Sequence, residues 1–339
     1  KHVLITGHTG FKGAWLVAML HSQGAKVSGI SLDPVEGGLF RTAEIQELLV
    51  NDLRQDIRKG AELTRAFQKI SPEVVIHLAA QPLVLASYKN PAETYETNVI
   101  GTLNVLQAVE ATPSVQATLI ITTDKVYQQD ADGKQAFIES DPLGAADPYS
   151  TSKAMADLLT QSWIASHADS RIAIARAGNV IGGGDVAENR LLPDLIQAFG
   201  DRKEAVVRNP ESVRPWQHVL DCLAGYVLLT ESLLAGAVES GAFNFGPSPE
   251  SPLKVEDVAR IAAAIWGEDA KWTTETRDQP HESGFLTLDS SKSKSVLNWK
   301  EKLTANEAIA WSADWSRRQF YGESARSLTL EQLSAFASR

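Results

Sequence analysis

Among the six tyrosines of the chain, Tyr149 alone is followed four residues later by a lysine, in Tyr149-Ser150-Thr151-Ser152-Lys153. On a helix that spacing puts both side chains on one face. A cation held there lowers the phenol from its ordinary value of about 10 and brings phenolate within reach near neutrality, which makes the pair a proton-handling device. A second group, Thr122-Thr123-Asp124-Lys125-Val126-Tyr127, leaves an apolar run at the C-terminal end of an expected strand, where open α/β sheets place their ligands. Its plain alternative is a polar strand exit with Asp124 and Lys125 in solvent. A third group, Gly7-His8-Thr9-Gly10-Phe11-Lys12-Gly13, stands between the first apolar run and an amphipathic stretch. GxxGxxG is a variant of the dinucleotide fingerprint: glycines let the backbone approach a pyrophosphate, and the helix behind them offers unpaired N–H groups. Gly7, Thr9, Gly10, Phe11, Lys12 and Gly13 are therefore expected to contact a dinucleotide. A merely structural glycine turn is the competing reading.

The choice between NAD and NADP falls at the end of the second strand, where an acid holds ribose hydroxyls and an arginine accepts a 2′-phosphate. Ser31 and Asp33 stand there, and no arginine follows until Arg41, which favours NAD. Asp56 and Ile57, after a third strand, are placed to flank the adenine; a solvated loop carboxylate is the alternative.

Short apolar runs at 3–6, 26–30, 74–78, 118–122 and 171–176 alternate with helical periodicity at 14–22, 61–70, 92–111 and 149–167. That alternation predicts repeated βαβ units: an α/β fold, a Rossmann doubly wound parallel sheet. After Gly178 the chain turns Gly-, Asn- and Pro-rich, with helices expected at 192–199, 219–234, 255–266 and 305–321 and a strand at 242–245. The expected division is a dinucleotide-binding domain over 1–176 and 217–246 and a smaller, discontinuous C-terminal α/β substrate lobe over 177–216 and 247–339. Thr304 and Glu307 form a capping-box pattern at the start of the last of these helices.

A length of 339 residues, 43% apolar and 22% charged, fits a large soluble fold with two lobes. No run approaches the roughly 18 apolar residues of a membrane span, so no membrane association and a cytoplasmic location are expected. A net charge of −10 repels nucleic acid over most of the surface, so anions must be met by local donor clusters. The single cysteine, Cys222, offers neither a disulfide nor a CxxC zinc motif, and no metal site is expected.

Taken together, the glycine loop, His77-Leu78-Ala79-Ala80, the Thr123 strand exit, the Tyr149/Lys153 pair and Arg176-Ala177-Gly178-Asn179 resemble the extended short-chain dehydrogenase/reductase superfamily. Five further segments sharpen this to a resemblance to the CDP-glucose 4,6-dehydratase family. They are Ala79-Ala80-Gln81-Pro82-Leu83-Val84, Asn179-Val180-Ile181-Gly182-Gly183-Gly184-Asp185, Arg208-Asn209-Pro210 with Arg214-Pro215-Trp216-Gln217-His218, Pro280-His281-Glu282 and Leu288-Asp289.

That resemblance implies a lyase that dehydrates a nucleoside diphosphate hexose on bound NAD, giving a 4-keto-6-deoxy sugar. In it Tyr149 takes the C4 hydroxyl proton while hydride passes to NAD, Thr123 steadies the C4 oxygen, and Asp124 protonates the departing C6 hydroxyl. Lys125 serves the C5 proton or steadies the enolate, and Lys153 binds the nicotinamide ribose. Further cofactor contacts are implied for Leu78, Ala79, Ala80, Gln81, Asn98, Thr122 and Arg176. The anionic end of the substrate is expected at Asn179, Arg190, Leu191, Arg208 and Arg214, with Trp216 near the base and Gln81 and Thr123 at the sugar. Each arginine taken singly also reads as a surface residue. A homodimer through helices 92–111 and 149–167 is implied as well.

Leu85-Ala86 stands where the family places an arginine after Gln-Pro-Leu-Val, which bears on substrate identity, and Val126 replaces a cysteine, a mild change. Three alternatives stay open: a dehydratase for another nucleotide, a C4 epimerase, and a non-catalytic dinucleotide sensor. The epimerase needs no acid for a leaving hydroxyl, so Asp124 and Lys125 speak against it, and retention of both Tyr149 and Lys153 speaks against the sensor.

Overall fold

The computed structural model describes residues 1–128, 136–247, 253–275 and 287–339; the Pro280-His281-Glu282 segment lies outside them. In chain order the strands are β1 (His2–Thr6), β2 (Lys26–Ser31), β3 (Asn51–Arg54), β4 (Val74–His77), β5 (Ala117–Ile121), β6 (Ile172–Ala177), β7 (Asn179–Ile181), β8 (Glu204–Arg208), β9 (Val213–Arg214), β10 (Trp216–His218), β11 (Gly241–Phe245), β12 (Leu253–Lys254) and β13 (Lys271–Glu275). The helices are α1 (Phe11–Ser22), α2 (Leu39–Thr42), α3 (Gly60–Ile70), α4 (Val84–Lys89), α5 (Pro91–Tyr95), α6 (Gly101–Glu110), α7 (Pro148–Ser166), α8 (Leu191–Gly200), α9 (Val219–Leu234), α10 (Val255–Trp266), α11 (Ser291–Leu297), α12 (Ala305–Phe320) and α13 (Ala325–Ala337).

Seven strands form one sheet in the order β11-β6-β5-β4-β1-β2-β3, every pair parallel. This is the doubly wound sheet expected from the βα alternation. β4, β5 and β6 are buried along their whole length, which explains their near-continuous apolar runs. One sheet face packs on α1 and α9, with Trp15, Leu16, Leu223 and Tyr226 in its core; the other packs on α3 and α6 through Leu63, Phe67 and Val105. The edge strand β3, Asn-Asp-Leu-Arg, alternates half-buried and exposed and carries one apolar residue, so its sequence shows no strand pattern.

The helix expected over 92–111 is interrupted. Between α5 and α6 a wider π turn, Glu96–Ile100, carries Asn98 inward; such turns leave the i−4 register to place a side chain. A second core gathers Leu192, Leu195, Trp216, Val258, Trp266 and Ile309 from α8, α10, α12 and β10. Thr304 and Glu307 cap α12 reciprocally, as their spacing predicts. α13, absent from the sequence reading although Ser324 caps it, returns to α1 and α2, and its Leu328, Leu333 and Phe336 enter the main core. Among the described residues no helix is long and apolar enough to cross a membrane.

Candidate active site

The sheet order reverses between β1 and β4, and the chain leaves both strands at the same end. A crevice follows there in any such sheet. On the β1 side, Gly7 adopts φ +79°, and a Cβ on it would come 2.6 Å from the Ala79 nitrogen. Only glycine lets the two strand exits approach this closely. A Cβ on Gly13 would meet the Gly7 carbonyl at 2.2 Å, whereas one on Gly10 would find only that carbonyl, at 3.4 Å. Position 10 thus has room on the crevice side. No side chain caps α1 and no acid stands in its first turn, so its leading N–H groups and positive dipole end are available to an anion. Thr9 Oγ1 lies 2.7 Å from Ser31 Oγ and donates to the Leu32 carbonyl, tying the loop to the end of β2. These features fit a dinucleotide pyrophosphate.

On the β4 side, the Leu78 N–H donates to the Thr6 carbonyl, and Ala79 and Ala80 continue the crevice wall. Gln81 is held on its own loop: its amide donates to the Leu83 carbonyl and Thr94 Oγ1, and its N–H donates to Asn98 Oδ1. Asn98, wholly buried, donates to Ser152 Oγ at 2.8 Å and to the Gln81 carbonyl. It therefore joins this loop to α7. Asp56 is occupied by Arg58, whose guanidinium approaches Oδ2 at 2.6 and 2.8 Å, and Ile57 is buried.

β5 delivers the reacting groups. Thr123, Asp124, Tyr149 and Lys153 are all buried. The Thr123 hydroxyl donates to Asp124 Oδ1 at 2.8 Å and lies near enough to the Tyr149 phenol to lower it. Burial pushes the Asp124 carboxyl up, against the Thr123 hydrogen bond and the nearby Lys125 charge. Gly178 makes room for it, since a Cβ there would stand 3.0 Å from Asp124 Oδ2. Lys125 is half-buried beside it.

The expectation that Lys153 lowers the Tyr149 phenol is not met. Burial pushes Tyr149 up to about 12, with Thr123 and Arg190 opposing and Asp124 adding to the rise. Lys153 instead donates to the Ile121 carbonyl at 2.8 Å and is itself lowered to about 8, by burial first and by the Lys12 charge second. Desolvation outweighs the spacing argument at both residues.

Two residues expected at the cofactor have their side chains engaged by Asp157. Thr122 donates to Asp157 Oδ2, and the Arg176 guanidinium, wholly buried, grips both Asp157 oxygens at 2.7 and 2.9 Å and donates to Tyr127 and the Glu139 carbonyl. Their purpose is to fix α7 against β5 and β6. Trp216 is likewise core, 8% exposed among Leu192, Leu195 and Ile309, and so presents no face on which a base can stack.

Arg190 caps α8 and lies 3.8 Å from Asp185; Leu191 opens the helix, and Arg208 at the end of β8 acts on Asp194 in its first turn. The two arginines thus lie near one helix N-terminus, where Asp185 and Asp194 offset part of their charge. Asn179 begins β7 beside Trp216 on β10, and Arg214 is half-buried on β9. Missed by the sequence reading are Ser87, which accepts the Tyr149 N–H, and Arg54, 3.5 Å from Asp33. Asp157 was also missed, although its position four residues beyond Lys153 on the same helical face signals a partner.

A profile of the NAD dependent epimerase/dehydratase family matches residues 3–246. The chain is 38% identical over 348 residues to the CDP-glucose 4,6-dehydratase of Salmonella typhimurium, covering 100% of this chain and 96% of that one. It is 26% identical to the dTDP-glucose 4,6-dehydratase of Neisseria gonorrhoeae, over 93% of this chain and 95% of the relative. The fold is similar to that of the UDP-glucose-4-epimerase of Stenotrophomonas maltophila solved with bound NAD and formylated UDP-arabinopyranose. That match has TM-score 0.82 and 21% identity and covers 94% and 98% of the two chains.

Proposed function

From the premise that the chain belongs to the NAD dependent epimerase/dehydratase family, we propose that it dehydrates a nucleoside diphosphate hexose, CDP-glucose foremost, to the 4-keto-6-deoxy sugar without net redox change. The observation that carries this reading is Asp124: a buried carboxyl held toward its protonated form, one hydroxyl away from the Tyr149 phenol. A C4 epimerase needs the phenol and has no use for the acid. The similarity to a CDP-glucose 4,6-dehydratase over the whole chain supports the nucleotide.

The 7–13 loop, the end of β2 and the 78–81 loop would hold NAD, and Lys153 its nicotinamide ribose. When bound, NAD supplies the hydride acceptor and donor that makes C4 a ketone and later saturates C6. Tyr149 takes the C4 hydroxyl proton, with Thr123 holding the same oxygen. Tyr149 must be phenolate for this transfer, the form that Arg190 favours by lowering the phenol against its burial. Once C4 is a ketone, the C5 proton is acidic; Lys125 takes it or steadies the enolate. Asp124 gives its proton to the C6 hydroxyl, which leaves as water, and C5 takes a proton back when C6 is saturated. Burial of Thr123, Asp124 and Tyr149 keeps bulk water from these transfers.

The same reading assigns 1–176 and 217–246 to NAD and 177–216 and 247–339 to the nucleotide sugar, with Asn179, Arg190, Leu191, Arg208 and Arg214 at its anionic end. It includes a cytoplasmic homodimer through α5, the π turn, α6 and α7, whose Ile100, Met155 and Leu158 are between 43 and 50% exposed. The test is incubation with CDP-, UDP-, dTDP- and GDP-glucose and mass analysis of the products. Loss of one water with CDP-glucose in preference is expected; an isomer of unchanged mass would replace the dehydratase with the epimerase.

A further inference from the structure

β7 and β10 form a two-stranded parallel ribbon in which Asn179, Val180 and Ile181 stand opposite Trp216, Gln217 and His218. Its two faces differ. Ile181 and Trp216 enter the second core, so Val180 and Gln217, which alternate with them, stand on the opposite face, where Val180 joins the main core. The neighbours of that face are fixed at both ends. At one end a Cβ on Gly178 would stand 3.0 Å from Asp124 Oδ2 and 3.9 Å from Pro215. At the other a Cβ on Gly182 would meet Val219 at 2.7 Å and the Phe11 ring at 3.1 Å. Gln217 thus occupies the middle of a strip that runs from the acid of the reacting group to the glycine loop.

Gln217 is 3% exposed, and among the described residues neither its amide oxygen nor its amide nitrogen has a hydrogen-bond partner. Trp216 and His218 beside it each leave a single ring nitrogen unpaired, whereas Gln217 leaves both a donor and an acceptor. A buried amide without partners costs stability, and an apolar side chain would fill the place without that cost. The open pair therefore calls for a ligand that both accepts and donates. A primary carboxamide does so, and two amides meet reciprocally, N–H to C=O on each side. The nicotinamide of NAD carries such a group. Because hydride passes between that ring and C4, the ring belongs between the glycine loop and the hydroxyl that Tyr149 and Thr123 are proposed to hold, along the strip on which Gln217 stands.

We infer that Gln217 receives the nicotinamide carboxamide and so fixes which face of the ring is turned to the sugar. The inference rests on the proposed NAD reading and gives Gln217 a positioning part in it. A ring turned half-way about its bond to the ribose would carry the carboxamide off Gln217 and leave the buried amide bare.

Calorimetric titration of the full chain with NAD+, its 3-acetylpyridine analogue and ADP-ribose tests this without relying on turnover. The analogue keeps the carbonyl and has a methyl in place of the amide nitrogen; ADP-ribose lacks the ring. The parent chain binds NAD+ more tightly than the analogue by on the order of tenfold, the effect of one buried acceptor left without its donor. Gln217→Met weakens NAD+ by on the order of tenfold, brings NAD+ and the analogue to within about twofold of each other, and leaves ADP-ribose binding unchanged. Equal binding of NAD+ and the analogue by the parent, a comparison that needs no variant, would overturn the inference and leave the NAD reading intact. A preference that survives Gln217→Met would do the same. A loss shared equally by NAD+ and ADP-ribose would make Gln217 a packing residue and overturn it as well. A parent chain that binds neither NAD+ nor ADP-ribose would instead defeat the NAD reading, and the inference with it.

Discussion

Burying an ammonium beside a second cation has a pH-dependent cost, and Lys153 meets it. The folded state lowers the group from 10.5 to about 8, so the unfolded chain holds the proton more tightly. The penalty is full below about pH 8 and is relieved as pH rises from there to about 10.5. Relative to Lys153→Met, the parent is therefore expected to gain stability across that window by a few kcal/mol, on the order of 1.4 kcal/mol per pKa unit. Paired thermal melts at pH 7 and pH 10 measure it; a constant difference would place the ammonium in water. Asp124 has the opposite sense, an acid that burial pushes up. Asp124→Asn should slow water loss more than C4 oxidation, so the absorbance of reduced nicotinamide builds up after mixing with CDP-glucose. If none accumulates while turnover falls, Asp124 acts at the oxidation step instead. The spacing of Tyr149 and Lys153 and the Thr123-Asp124 pair were visible in the sequence, because a helix turn and a strand exit fix them locally. The phenol's rise to about 12 was not, since it comes from distant chain that closes over the site.

At the scale of the element, α7 must hold Tyr149 against Thr123, and a buried ion pair does this from below. Asp157 accepts from Arg176 on β6, from Thr122 after β5 and from Gln161 one turn on, with both members of the pair wholly out of water. Removing one partner leaves a buried charge unpaid, at about 3–5 kcal/mol. Asp157→Asn should lower the urea midpoint accordingly, whereas Asp157→Leu combined with Arg176→Leu should cost less than the two single changes added together. Additive losses would mean that the two side chains act independently. Elements with strong periodicity were legible: α9 and α10 run over the expected residues, and α7 differs by one at each end. The bounds of β3, assumed before Asp56, were not, its polar residues being tolerated at a sheet edge, and with them went Arg54. The π turn around Asn98 was equally hidden, because packing against the 81 loop and Ser152 sets it, with no local signal.

For the molecule as a whole, chain order puts the exits of β1, β2, β4 and β5 on one sheet end, while Arg190 and Arg208 belong to the elements around a separate core. The short strands of that second core, β7, β9, β10 and β12, have two or three residues each and carry no readable alternation. Arg190 and Arg208 could be named from the sequence, but their approach to the start of α8 could not, and Trp216 proved to be core because three helices close around it. The central claim is that one oxidation at C4 is undone at C6 of the same sugar. CDP-glucose carrying deuterium at C4, turned over with catalytic NAD, tests it most directly. The account predicts a product lighter by one water, with the deuterium at C6 and no net NADH. A product of unchanged mass, or one whose C6 hydrogen comes from solvent, would contradict it.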